Sequence, residues 1–247
     1  MPWRRTSNPY RIMVSEVMLQ QTGVERVRGK YAAFLKAFPT VRALAYAPVS
    51  DVLGQWKGLG YNRRARALRD AARAVMERFG GRIPRSVQGL SSLPGIGKAT
   101  ASAILAFAFN LPAVFMETNI RRVFIHFYFP GASAVKDSEI LPLVEKTLDR
   151  ENPREWYWAL MDYGAMLGGA ADNPNRRSAS YRKQPPFEGS LRQARGRIIS
   201  FLLERPRARP GVFANALGME EASVRKALQD LKEEGFLVLE DGAYRLA

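Results

Sequence analysis

Six residues near the middle of the chain, Leu93-Pro94-Gly95-Ile96-Gly97-Lys98, restrict the fold more than any other stretch. Helical sequence flanks them, and the apolar run Ala99–Phe109 follows directly. Pro94 begins a turn, and Gly95 and Gly97 allow a backbone too tight for side chains. Amides bared by that turn, with the start of the helix at Lys98, can face a phosphate oxygen. Ile96 then plugs the turn into the core. A lone Gly-x-Gly would be read as an ordinary helix–helix turn; the full string before an apolar helix favours a helix-hairpin-helix. Such a hairpin grips DNA without reading its sequence, because phosphate contacts position rather than specify. Lys98 is expected in this grip, with a plain surface lysine as the alternative. The hairpin carbonyls of Leu93 and Gly95 form a candidate site for a monovalent cation.

The charge balance points the same way. The chain has 38 Lys and Arg against 23 Asp and Glu, a formal charge of +15. That excess favours a polyanionic partner, since each cation that meets a phosphate releases counterions. Ribosomal and membrane-surface proteins are basic too, so charge alone does not name the polyanion. With 247 residues and 47% apolar content, one large domain or two small ones can form real cores. Cysteine is absent. Disulfides, thiolate catalysis, zinc–thiolate sites and iron–sulfur clusters are therefore excluded together. The single His126, within Val123–Phe129, reads as a packed core or boundary residue. No apolar run is long enough to cross a bilayer, and Met1–Arg5 shows no signal-peptide core. The expectation is no membrane association, a monomer, and a cytoplasmic location, nucleoid-associated in a prokaryote.

The periodicity is helical almost throughout. Val24, Val27, Tyr31, Phe34, Leu35 and Phe38 share one face at 3.6 spacing. Pro39-Thr40 ends that helix and opens the next. Val52, Leu53 and Trp56 form a short amphipathic turn, and a longer stripe runs from Ala65 to Phe79, closed by Gly80-Gly81. No strand alternation is sustained before residue 236. Residues 178–188 read as a linker rich in polar residues with a Pro pair. Residues 189–247 then read as three helices and a hairpin with an Asp241-Gly242 turn, the winged-helix pattern. That pattern serves DNA or protein docking alike.

Two carboxylates are candidates for chemistry. Glu16 lies in the apolar stretch Ser15–Thr22, where an acid is costly unless paired, exposed or functional. Burial would raise its pKa and suit it to general-acid work near neutrality. A solvated face or a helix-end ion pair is the alternative. Glu117 and Asn119 precede an apolar helix and can simply cap it. One acid to protonate a leaving base and one anion beside a cationic sugar are what cleavage of an N-glycosidic bond needs.

These residues carry a family likeness. The chain resembles the adenine-specific branch of the helix-hairpin-helix DNA glycosylases, the MutY and endonuclease III superfamily, from Pro2-Trp3 to about Leu167. The likeness rests on Asn8-Pro9-Tyr10, Ser15–Thr22, Phe38-Pro39-Thr40, Gly58-Leu59-Gly60-Tyr61, Arg64-Ala65-Arg66, Leu93–Lys98, Glu117–Val123 and Met161–Met166. It implies an all-α, two-lobed fold: a six-helix barrel over 11–114, and a second lobe from 1–10 plus 115–177, with DNA in the cleft. It further implies that Glu16 protonates adenine at N7, and that Glu117 stabilises the sugar cation with Asn119 beside it. Gln20, Gln21 and Tyr61 match residues that wedge into the duplex and meet the orphaned base. Arg64 and Arg66 would be phosphate contacts or a solvated helix face. Bifunctional relatives carry a nucleophilic lysine where this chain has Ala99, so a monofunctional enzyme with water as final nucleophile is expected.

Three departures stand out. The four-cysteine iron–sulfur loop expected after Met166 reads Leu-Gly-Gly-Ala-Ala-Asp-Asn-Pro-Asn-Arg-Arg, so no cluster is expected. That lobe should hold by packing, with Asn173–Arg177 as a structured, phosphate-facing loop. The family's catalytic aspartate is Glu117, whose extra methylene moves the charge by about 1 Å. The winged-helix-like tail stands where family members carry a Nudix-like domain that checks for 8-oxoguanine. The expected partner is double-stranded DNA with a mispaired or damaged base, most simply adenine opposite guanine or 8-oxoguanine. A thymine or uracil glycosylase on G:T or G:U mispairs and a non-catalytic DNA-binding protein are the alternatives.

Overall fold

Helix starts fall where the sequence places its caps. The computed structural model describes residues 1–169 and 172–247. Its helices are α1 (Pro9–Leu19), α2 (Val24–Ala37), α3 (Val41–Ala45), α4 (Val49–Trp56), α5 (Arg63–Phe79), α6 (Val87–Ser91), α7 (Lys98–Phe109), α8 (Thr118–Tyr128), α9 (Asp137–Thr147), α10 (Pro153–Gly168), α11 (Leu191–Glu204), α12 (Pro210–Leu217) and α13 (Glu221–Glu233). Thr40 Oγ1 accepts the Ala43 amide at 3.1 Å to open α3, and Ser86 Oγ accepts the Gly89 amide at 3.1 Å to open α6. Gly80 ends α5 in the left-handed region at φ 57°.

Contacts divide the chain into two compact units: Met1–Val17 with Arg82–Lys183, and Met18–Gly81 with Gln184–Ala247. This grouping differs from the expected block 11–114, because residues 18–81 pack with the C-terminal segment.

The first unit is built on α7, which is apolar all round and buried from Ala101 to Ala108. Phe107, Phe115 and Tyr157 pack ring to ring at its end. Arg154 closes the C-terminus of α7 by donating to the carbonyls of Phe107 (2.7 Å) and Ala108 (3.3 Å). α8 and α10 pack against each other, and a 3-10 turn, Pro174–Arg177, crosses α8. The chain there is tied by hydrogen bonds as well as packing. Val135 N–H donates to the Arg177 carbonyl at 2.8 Å, Ala179 N–H donates to the Val135 carbonyl at 2.9 Å, and Arg177 Nη1 donates to the Phe129 carbonyl at 2.5 Å. Ala170 and Ala171 of the expected cluster-free loop lie outside the described residues. His126 is a correction: it is exposed, because the buried face of α8 ends at Ile125 and residues 126–128 follow on the outer side.

The second unit joins α2–α5 to a C-terminal tail of three helices, α11–α13, and a β-hairpin. Phe34, Phe38 and Trp56 meet edge to face at 5.0 and 5.9 Å. In the tail, strands β1 (Leu237–Glu240) and β2 (Ala243–Leu246) pair antiparallel with Leu237 opposite Leu246. The turn residues Asp241 (φ 50°) and Gly242 (φ 72°) supply the two left-handed conformations of a type I′ turn. Ala208 and Tyr244 exchange two backbone hydrogen bonds, 3.0 and 2.8 Å, which extends the hairpin by a short third pairing. The tail is fastened by ion pairs. Lys57 meets Glu204 at 2.7 Å, and Glu234 takes both Arg63 and Arg195.

Candidate active site

Glu16 sits on α1 between buried neighbours: Met13, Val14, Ser15, Val17 and Met18 are all within the core. Its carboxyl is pushed up to about 8. Burial is the largest cause, the charge of Glu117 adds to it, and the guanidinium of Arg4 opposes. The acid is therefore protonated at neutral pH.

Glu117 is the N-cap of α8. Its Oε1 accepts the amides of Asn119 (2.7 Å) and Ile120 (2.9 Å), and its Oε2 accepts from Asn119 Nδ2 at 3.3 Å. Its pKa is raised: burial outweighs the opposing pull of the Ile120 and Asn119 amides, Arg122 and the Asn119 side chain. The capping alternative read from sequence is thus true of Glu117 as geometry. The same donors stabilise an anion at the head of a helix. Within one unit, then, the environment separates two carboxyls. Glu16 keeps its proton, and Glu117 is given the contacts of a carboxylate. That separation is the division of labour that acid-assisted cleavage of a glycosidic bond uses.

The hairpin in the same unit takes the expected shape. Ile96 and Leu93 are buried, while Gly95, Gly97 and Lys98 are exposed. Gly95 is at φ 72°, and Gly97 caps α7, which begins at Lys98. The Leu93 carbonyl, one of the two proposed cation ligands, accepts the Ile96 amide at 3.2 Å.

The remaining expected DNA contacts belong to the second unit. Gln21 (φ 53°) and Tyr61 (φ 49°) both hold left-handed backbones, costly for such side chains unless the surroundings enforce them. Arg64 supplies the enforcement. It donates to the carbonyls of Met18 (2.9 Å), Gln20 (2.5 Å), Leu59 (3.3 Å) and Gly60 (3.1 Å) and to Thr22 Oγ1 (2.8 Å). Its guanidinium lies 5.4 Å from the Trp56 ring centroid and 5.5 Å from that of Tyr61. Burial pushes its pKa down to about 10. Arg64 is thus a buckle between the turn after α1 and the loop before α5. Its Nη1 and Nη2 donors go to protein acceptors, where a phosphate contact or a solvated helix face was expected. Arg66 is also engaged internally, over the Phe236 ring at 5.6 Å and hydrogen-bonded to the Glu234 carbonyl. The linker reaches this region as well: Gln184 Nε2 and Arg192 Nη1 both donate to the Tyr61 hydroxyl.

Sequence reading missed several residues around the two carboxyls. Arg4 makes a bidentate pair with Asp162 at 2.6 and 2.8 Å and lies over Trp158 at 5.5 Å. Arg122, Gly164 and Asn173 stand behind Glu117 and Asn119. Part of the signal was present: Arg122 and Gly164 fall in Glu117–Val123 and Met161–Met166, strings that carry the family likeness, but nothing in them tells which residue faces which.

An exposed glycine hairpin, an acid with a raised pKa and a helix-capping carboxylate thus lie in one unit. The chain belongs to the HhH-GPD superfamily of base excision DNA repair proteins, whose family model matches residues 14–145. It is 31% identical to the adenine DNA glycosylase of Mycolicibacterium smegmatis, across 100% of this chain and 91% of that protein. It is 39% identical to the adenine DNA glycosylase of Buchnera aphidicola subsp. Baizongia pistaciae, over 68% of this chain. It spans only 48% of the length of that second relative. Among solved structures, a thermostable thymine-DNA glycosylase superposes with a TM-score of 0.62 at 27% identity, over 70% of this chain and 82% of that one. A four-cysteine cluster does not fit this chain, which offers no thiolate ligand.

Proposed function

We propose that the chain is a monofunctional DNA N-glycosylase that releases adenine mispaired with guanine or 8-oxoguanine. The observation that carries this reading is the placement of the half-buried acid Glu16 among core residues of α1, where its carboxyl is pushed up to about 8 by burial and the charge of Glu117. Glu16 delivers its proton to N7 of the flipped base, which turns the base into a neutral leaving group. The C1′–N9 bond breaks, and its electron pair leaves with the base. Glu117, aligned by two backbone amides and Asn119, faces the positive charge that develops on the sugar. Water then adds to C1′ and loses a proton. The exposed turn at Gly95 and Gly97 and the Lys98 side chain hold a phosphate of double-stranded DNA. Gln20, Gln21 and Tyr61 enter the duplex beside the extruded base.

The relatives named adenine DNA glycosylases favour adenine. A second reading, thymine or uracil opposite guanine, draws on the likeness to the thymine-DNA glycosylase. A duplex panel separates the two. Single adenine, thymine or uracil residues are placed opposite guanine and 8-oxoguanine, and released base is measured with and without alkali. Adenine release, with strand breaks only after alkali, supports the proposal. Thymine or uracil release in its place supports the second reading.

A further inference from the structure

We propose that Asn173, on the segment after α10, is a positioning residue for Glu117, acting through Arg122 and Asn119. This rests on the reading of Glu117 as the anion beside the sugar.

The connection is a chain of hydrogen bonds whose polarity is fixed at each link. Asn173 Oδ1 accepts Arg122 Nε at 3.1 Å. Arg122 Nη1 donates to Asn119 Oδ1 at 2.9 Å. Asn119 Nδ2 donates to Glu117 Oε2 at 3.3 Å. A free asparagine amide can present oxygen or nitrogen to either side. Arginine has only donors, so Arg122 compels the Asn119 oxygen to face it. The NH2 group must then face the Glu117 carboxylate, the one orientation that favours the anion. Reversing that amide would set an oxygen against a carboxylate oxygen.

Arg122 can act this way only if its own plane is held. The residue is 9% exposed, and it also hydrogen-bonds to the Gly164 carbonyl. A Cβ at Gly168 would fall 2.3 Å from its Nη1, so only glycine leaves room for it there. Asn173 holds the remaining edge. Its Oδ1 is fixed in turn by the Asn175 amide at 3.1 Å. Asn175 Nδ2 secures the Thr118 carbonyl at 2.9 Å, one residue beyond Glu117. The charged groups facing Glu117 are Glu16 from α1 and Arg122 from α8. The segment that carries no cluster ligands therefore still ends on the candidate anion.

Asn173→Ser and Asn173→Asp separate this role from folding. Serine can still accept the Asn175 amide but is one atom too short to reach Arg122. Aspartate keeps both acceptances. The first readout needs no activity: the Glu117 side-chain carboxyl is titrated by carbon NMR, with Glu117→Gln as the assignment control. Asn173→Ser should raise its midpoint by at least about half a unit. The second is single-turnover base release: about tenfold slower for Asn173→Ser, with duplex affinity within about twofold, and restored to within about threefold by Asn173→Asp. In the unmodified protein, the Arg122 Nε proton should exchange far more slowly than those of exposed arginines, a measurement that stands if a variant fails to fold. An unmoved Glu117 midpoint in Asn173→Ser, an Asn173→Asp as slow as Asn173→Ser, or a fast-exchanging Arg122 Nε proton overturns the proposal. If no duplex yields a free base, the glycosylase reading fails, while the titration and exchange still decide the relay.

Discussion

Gly164 on α10 lies against the backbone of Asn119 at the head of α8: a Cβ placed on Gly164 would fall 2.2 Å from the Asn119 carbonyl oxygen. The obstacle is backbone, so it cannot swing aside. Gly164→Ala should push the two helices apart and lower unfolding free energy by about 1–3 kcal/mol in urea titrations. Because Glu117 caps α8, base release should fall too. Unchanged stability and rate would show that the close approach is dispensable.

Glu16 links stability to pH. Its folded-state pKa of about 8 lies above the ordinary 4.5. The native state therefore binds a proton that the unfolded chain gives up, and that contribution is full below pH 4.5. It is lost progressively as pH rises toward 8. Glu16→Gln, always neutral, should match the parent protein near pH 4.5 and exceed it in stability at pH 8. Equal urea midpoints at both pH values would contradict a protonated Glu16. In the parent protein, base release should decline above about pH 8 as the acid loses its proton.

Arg64 separates two roles that a sequence cannot. As a buckle, its removal in Arg64→Ala should cost more than about 2 kcal/mol of stability, since several carbonyls lose their donor. As a phosphate contact, its removal would leave stability unchanged and reduce the salt slope of DNA binding by about one unit. Urea denaturation and salt-dependent binding on the same variant distinguish these outcomes, and the structure predicts the first.

Ala99 follows Lys98 on the first turn of α7. With no lysine at that position, borohydride should trap no covalent enzyme–DNA adduct from a duplex that yields free base. Efficient trapping, or strand cleavage without alkali, would require a nucleophilic amine that the proposed mechanism does not include.

Much of this architecture was legible because it is local. The Pro94–Gly97 turn, the apolar helix behind it, the cap at Thr40 and the Asp241-Gly242 hairpin each depend on a few adjacent residues. The carboxyl pair was legible only in part. Glu16 stood out as an acid in an apolar helix, but its coupling to Glu117 crosses a hundred positions of sequence and is tertiary. Arginine roles were least legible. Arg64, Arg66 and Arg122 all sit on helices, and the same side chain can meet solvent, phosphate or a carbonyl. His126 was misplaced for a related reason: the apolar run continues through Phe127 and Tyr128, although burial on α8 stops at Ile125.

The central claim is that a protonated Glu16 drives release of a base. The most direct measurement is single-turnover release of free adenine from a duplex with one adenine opposite 8-oxoguanine, comparing the parent protein with Glu16→Gln at pH 7. The account predicts free adenine from the parent and a rate at least about a hundredfold lower from Glu16→Gln, with duplex binding retained. Equal rates for the two proteins, or no adenine from either, would contradict it.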